Sequence, residues 1–178
     1  ITLMPRSLYS MLITVLAPSF VLRLIYKSLR EPNYRRQWWR RFAIGLPKRV
    51  KPGAGVIWVH AVSVGELLAI APLIERLLAE WPDKALLVTN TTPTGAAQTQ
   101  SLFGDTVEHT WFPFDMPRVT GAFIRHWRPE LIVMVETEIW PNLLASANAQ
   151  RVPVALVNAR LSARSARGYS RLGQLTST

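Results

Sequence analysis

The chain has 178 residues, of which 49% are apolar, contains no cysteine and carries a formal charge of +10. That composition supplies a sizeable core for one domain, which excludes a chain disordered throughout, and it rules out a disulfide scaffold. The lack of cysteine permits a reducing compartment such as the cytoplasm, and the excess of positive charge calls for an anionic partner.

The chain opens on Ile1 and reads as a piece of a longer protein. Residues 8–25, LYSMLITVLAPSFVLRLI, are almost wholly apolar, but Pro18 interrupts them and Arg23 falls near their end. Crossing a bilayer takes about 20 apolar residues, so the stretch is marginal for a span, and a buried amphipathic helix is the plain alternative. A basic run follows, with Arg23, Lys27, Arg30, Arg35, Arg36 and further Arg and Lys to Lys51, opposed only by Glu31. Apolar first and basic second is the reverse of a cleaved signal peptide, and it holds the basic flank on the cytoplasmic side. Anionic head groups would add about 1 kcal/mol per Lys or Arg close to the surface. Residues 1–30 are therefore expected to associate with a membrane, and 31–52 to form a basic linker.

From residue 53 onwards strands and helices alternate. Strands are expected at 55–60, 85–89, 107–112, 131–135 and 152–157, and helices at 67–81, 96–103, 118–127 and 141–149. Strands that are nearly all apolar and alternate with helices of this length imply an α/β fold, a Rossmann-like parallel sheet with helices on both faces. Residues 53–178 are assigned to that domain.

Each strand exit is polar: Ser63, Gly65 and Glu66, then TNTTPTG at 89–95, then Asp115, then Glu136, Thr137 and Glu138, then Arg160 and Ser162. In an open parallel sheet these exits share the carboxyl edge, where such folds hold ligands. Glu66 opens a helix. There a carboxylate serves either as a cap and dipole partner, worth about 0.3–1 kcal/mol, or as a general base that takes the proton of an attacking hydroxyl. The helix dipole lowers a carboxylate's pKa, so the second role requires partial burial. Glu136 and Glu138, two positions apart after a buried strand, could receive hydroxyls or orient an Arg; a cap and a solvated side chain is the other reading. TNTTPTG lacks the P-loop lysine and is not GxGxxG, yet Thr94 and Gly95 suit a helix start facing an anion or a sugar, as they suit an ordinary capped turn. Arg160, Arg164, Arg167 and Arg171 form a solvated basic face or grip phosphate bidentately. His60, His109 and His126 lack metal-ligand spacing, so no protein-bound metal is expected; no cofactor is expected either.

WVHAVSVGE at 58–66, TNTTPTG at 89–95, FPFDMP at 112–117, VETEIWPN at 135–142 and NARLSARSARGY at 158–169 occur together and in this order. In these the chain resembles the N-terminal portion of the 3-deoxy-D-manno-octulosonic acid (Kdo) transferases of Gram-negative bacteria, the lipid A glycosyltransferases, from near Leu8 to about Gly173. The resemblance implies a GT-B architecture, two Rossmann-like domains across a cleft, with acceptor on the first and sugar nucleotide on the second. It implies transfer of Kdo from CMP-Kdo to a lipid A precursor in lipopolysaccharide core biosynthesis. The transfer would invert configuration, use no metal and occur at the cytoplasmic face of the inner membrane. The family's general base matches Glu66, and a second essential carboxylate matches Glu136 or Glu138. The acceptor side is expected to use Ser63, Gly65, Thr94, Gly95, Arg160, Ser162 and Arg164, with anionic inner-membrane lipids as a further partner. The nucleotide-sugar domain lies outside this chain, so the piece alone is expected to be inactive. A non-catalytic, membrane-bound binding module on a Rossmann-like scaffold is the alternative. A nucleic-acid binder, suggested only by a pI near 11.0, ranks last because no recognition signature accompanies the charge, so no nucleic-acid partner is expected.

Overall fold

The structure is a computed structural model that describes residues 5–49, 51, 53–136 and 139–159. Five parallel strands, β1 (Val56–His60), β2 (Ala85–Asn90), β3 (Glu108–Trp111), β4 (Pro129–Val135) and β5 (Val154–Val157), form one sheet in the order β3-β2-β1-β4-β5. Every residue of β1 and β2 is buried. Both faces of the sheet are covered, which is why these strands read as apolar runs rather than as alternating ones.

Helices α3 (Val64–Glu80) and α4 (Pro93–Phe103) cover one face, where Leu67, Ile70, Ile74 and Phe103 pack on Ile57, Val59 and Val88. Helices α5 (Pro117–Trp127) and α6 (Pro141–Ala149) cover the other, where Phe123, Trp127 and Leu143 pack on Val56, Trp58 and Leu87. Successive β1 side chains thus feed opposite cores, as the two-residue strand period requires. The expected α/β class and its alternation hold. α3 and α4 each begin three residues ahead of the sequence-based expectation. The hydroxyls of Ser63 and Thr92 cap their first turns, and Pro93 occupies the first turn of α4, where its missing N–H costs nothing.

The apolar N-terminal stretch is not one helix. It forms α1 (Arg6–Val15) and α2 (Ala17–Arg30), bent by 48° at Leu16. Pro18 lies in the first turn of α2, a position that starts a helix well but would break one running through it. Among the described residues no single helix is long and apolar enough to cross a membrane; the bent pair passes that test only jointly. Beyond α2 the chain makes two short 3-10 turns, Pro32–Arg35 and Trp38–Phe42, laid on the carboxyl edge of the sheet. Trp111 Nε1 donates to the Arg36 carbonyl at 2.8 Å, and the Phe114 N–H donates to the Arg41 carbonyl at 2.7 Å.

Candidate active site

The chain runs outward from β1 through β2 to β3, then returns past β1 to β4 and β5. The order reverses between β1 and β4, and the crevice outside their carboxyl ends is where this topology leaves room for a ligand. Two of the sequence-predicted carboxylates, Glu66 and Glu136, stand at that edge, close enough for the Glu136 charge to be felt at Glu66.

Glu66 is the third residue of α3. Its N–H donates to Ser63 Oγ at 3.5 Å, the Ser63 hydroxyl donates to Glu66 Oε1 at 3.3 Å, and the Val62 N–H donates to Oε2 at 2.6 Å. The Ser-x-x-Glu spacing of a capping box was present in SVGE to be read, but the carboxylate reaches back to the N–H of Val62, one residue before the cap, rather than to that of Ser63. The carboxylate is half-buried. Burial pushes its pKa above the ordinary carboxylate range; the Val62 hydrogen bond opposes that, the Glu136 charge adds to it, and the Ser63 hydroxyl opposes it. The requirement for a general base, desolvation enough to overcome the helix start, is met in direction. Oε2 is firmly held, whereas among the described residues Oε1 has only the long Ser63 contact.

Glu136 closes β4 with φ at 59°, its N–H donating to the Val157 carbonyl at 3.0 Å. A left-handed glutamate costs backbone energy, and such strain gathers at functional sites. Glu138 lies outside the described residues, as do Arg160, Ser162 and Arg164.

Gly65 is exposed, and a Cβ there would meet nothing closer than Ser63 Oγ at 4.0 Å, so the first turn of α3 is open on that side. In TNTTPTG, Thr92 Oγ1 accepts the Gly95 N–H at 3.1 Å, and Thr94 is exposed with its hydroxyl donating to Thr92 Oγ1 at 3.3 Å. Gly95 is buried; a Cβ would lie 3.1 Å from Thr92 Oγ1 and 3.3 Å from the Asn90 side chain, so the glycine is explained by close packing. The capped-turn reading accounts for these three residues, with the Thr94 side chain left outward.

A cleft of about 390 Å³ separates the helix pair from the sheet edge. Tyr9, Phe20 and Trp140 give it apolar wall, Arg23, Lys27 and Arg41 give it positive charge, and Val62, whose N–H holds Glu66, also lines it. Arg41 is only 5% exposed. Its guanidinium donates to the Thr91 carbonyl at 2.8 Å and lies 4.4 Å from the Trp111 ring centre, and burial lowers its pKa to about 10.

Sequence reading did not single out Asp115 as more than a polar strand exit. Its Oδ1 accepts the Leu143 N–H at 2.7 Å; its Oδ2 accepts the Asn142 N–H at 3.1 Å and the Tyr9 hydroxyl at 2.9 Å. It caps α6 from across the sheet edge. The available signal was negative: α6 opens after Trp140, which has no oxygen to cap it, so the acceptor had to come from elsewhere.

Two histidines are held neutral, His60 buried and His109 half-buried. His60, stacked on Phe112 at 3.7 Å, is lowered to about 3 by burial, against the favourable Thr89 carbonyl contact, and His109 is lowered to about 4 by burial and by Arg40 and Arg41. Both folded values lie below the ordinary 6.5, so the unfolded chain binds more protons between these values. Their contribution is complete above about 6.5 and is lost as pH falls towards the folded values, at about 1.4 kcal/mol per pH unit per histidine. Urea titrations should show this acid loss, and His109→Gln should reduce its slope between about pH 6.5 and 4. Among the described residues no group of three His, Asp or Glu side chains could hold a metal ion.

A five-stranded parallel sheet covered on both faces, with Glu66 and Glu136 following the strands that flank its switch point, defines the chain as a Rossmann-like α/β domain. It belongs to the 3-deoxy-D-manno-octulosonic-acid transferase (kdotransferase) family, whose N-terminal model matches residues 36–178. It is 35% identical to the 3-deoxy-D-manno-octulosonic acid transferase of Haemophilus influenzae over 94% of this chain and 39% of that protein. It is 38% identical to that of Bordetella pertussis over 96% of this chain and 41% of the relative. A probable mitochondrial 3-deoxy-D-manno-octulosonic acid transferase of Arabidopsis thaliana is 34% identical over 92% of this chain and 36% of that protein. The chain therefore spans about two-fifths of the length of these relatives.

Proposed function

We propose that this chain is the acceptor-side domain of a GT-B Kdo transferase in lipopolysaccharide biosynthesis, completed by a second Rossmann-like domain that holds CMP-Kdo. The observation that carries the reading is Glu66, half-buried and raised in pKa, at the switch point beside Glu136 and next to a cleft with apolar and cationic walls. A lipid A precursor is an acceptor of matching chemistry, with acyl chains, phosphates and a sugar hydroxyl. Glu66 Oε1 takes the hydroxyl proton while Val62 keeps Oε2 in place. The hydroxyl oxygen bonds to the anomeric carbon of Kdo on the face opposite the nucleotide, and the bond to the CMP phosphate breaks. CMP leaves with the bonding electrons, and configuration inverts without a metal. Glu136 or Glu138 is the second carboxylate. Ser63, Gly65, Thr94, Arg160, Ser162 and Arg164 are the proposed acceptor contacts, Gly95 being buried against Thr92 and Asn90, and no nucleic acid takes part. The enzyme would work on the cytoplasmic face of the inner membrane, among its anionic lipids.

The hydrogen bonds of Glu66 to Val62 and Ser63 at the start of α3 support a second reading, a non-catalytic membrane-bound module in which Glu66 only starts α3. Mass spectrometry of the full-length protein with CMP-Kdo and a lipid A precursor separates the two. The enzyme reading requires addition of Kdo with one CMP released per sugar, whereas acceptor binding with no transfer supports the module.

A further inference from the structure

Asn90, the last residue of β2, is wholly buried. Its Nδ2 donates to the Ala61 carbonyl at 2.8 Å. A carbonyl only accepts, so this contact fixes the orientation of the amide and turns Oδ1 the other way. There Oδ1 accepts the Thr99 hydroxyl at 2.8 Å and lies 3.0 Å from His109 Nε2, the nitrogen assigned the ring proton on that account. Gly95 leaves room for the amide, since a Cβ there would lie 3.3 Å from the Asn90 side chain. The Ala61 carbonyl and the Val62 N–H belong to one planar peptide unit and point in opposite directions. Asn90 Nδ2 holds the first, and Glu66 Oε2 accepts the second at 2.6 Å. Turning that plane to loosen one bond loosens the other. The Ala61 N–H on the Thr89 carbonyl at 3.1 Å and the Thr91 hydroxyl on the Val62 carbonyl at 3.2 Å fix the peptides on either side.

We propose that Asn90 is a positioning residue for Glu66: it fixes the Ala61–Val62 peptide, which holds Oε2 in place and leaves Oε1 to face the acceptor hydroxyl. The inference rests on the general-base role in the proposed function and deepens it. Hydrogen bonds run from His109 through the Asn90 amide and the peptide to the carboxylate, and each polarises the next. After burial, the Val62 hydrogen bond is the largest influence on the Glu66 pKa, and it favours the ionised form, the one that can take a proton. Asn90 thus works against burial and against the facing Glu136 charge, both of which raise that pKa. Without the amide the peptide plane is freed, the carboxylate can turn, and its pKa rises further. An amide that served only the fold would alter stability and leave the ionisation of Glu66 where it was.

The test uses the full-length enzyme with CMP-Kdo and a lipid A precursor. Asn90→Leu, close in size and without the amide, should lower kcat for Kdo transfer by about 10–100-fold and leave the acceptor KM within about threefold. It should also move the acid limb of kcat/KM to higher pH by about half a unit to one unit. Thr120→Val removes a hydroxyl equally buried but bonded to Met116 and Ser146, so it should lower the melting temperature and leave the limb in place. In a Glu66→Gln background, Asn90→Leu should cost less than about threefold more, because the group it positions is gone. Equal losses with and without Glu66, or an unmoved limb, overturn the proposal. Should Asn90→Leu fail to fold, His109→Phe decides, since it removes only one Oδ1 partner at the sheet edge. The limb should then move in the same direction by less, and an unmoved limb overturns the proposal. Near-normal transfer by Glu66→Gln would overturn the base and its positioning residue together, whereas a loss there with none in Asn90→Leu overturns the positioning alone.

Discussion

In the full-length enzyme, Glu66→Gln should lower kcat for Kdo transfer by about 10²–10⁴-fold and leave acceptor binding within about threefold. Glutamine keeps the shape and can still accept the Val62 N–H, so what disappears is the proton acceptor. The cap itself is worth only about 0.3–1 kcal/mol, and a folding defect cannot mimic a rate loss of that size. The sign of the pH dependence follows. Only ionised Glu66 can take a proton, and burial with the neighbouring Glu136 charge raises its pKa. The acid limb of kcat/KM should therefore fall at a pH above the ordinary carboxylate range, with activity lost as pH drops through it. Near-normal transfer by Glu66→Gln would leave this residue with its capping role alone.

Asp115→Ala should be among the most destabilising substitutions in the chain, by about 3–5 kcal/mol in chemical denaturation, out of the roughly 5–15 kcal/mol that holds a typical domain. Three donors lose their acceptor together: the Asn142 and Leu143 N–H groups that open α6 and the Tyr9 hydroxyl of α1. The carboxyl's folded pKa is raised by burial, against those hydrogen bonds. Its protonation equilibrium therefore favours the folded state most below the ordinary value of 3.8, and that contribution is lost as pH rises through the folded value. The effect of the substitution should reach α1 as well, seen as faster amide exchange at residues 6–15. A loss below about 1 kcal/mol would mean that the α6 amide groups find other partners.

The fold was legible because burial on both faces writes itself into local composition. The strand expected at 55–60 is Val56–His60, and the helix expected at 141–149 is α6 to the residue. Helix starts were misplaced because periodicity becomes visible only at the first buried side chain, Leu67 in α3, whereas the helix begins where Ser63 can cap it. Glu66 could be picked out as a carboxylate at a strand-to-helix turn. Its closeness to Glu136 could not, since that depends on β1 pairing with β4, a tertiary fact absent from either segment's own pattern. The same holds for Asp115, whose bonds to Asn142 and Leu143 join residues 27 and 28 apart, and for Tyr9, 106 residues from Asp115. The bend between α1 and α2 was half visible in Pro18. What holds the bent pair against the domain is its hydrogen bonding to Asp115 and Asn142.

The most direct measurement is a crystal structure of the full-length enzyme with a lipid A precursor and the product nucleotide CMP bound. The acceptor hydroxyl should lie about 2.6–3.2 Å from Glu66 Oε1 in the crevice between β1 and β4, with its acyl and phosphate groups in the cleft beneath α1 and α2. An acceptor bound elsewhere, with the Glu66 carboxylate still turned onto Ser63 and Val62 and sealed from the sugar, would contradict it.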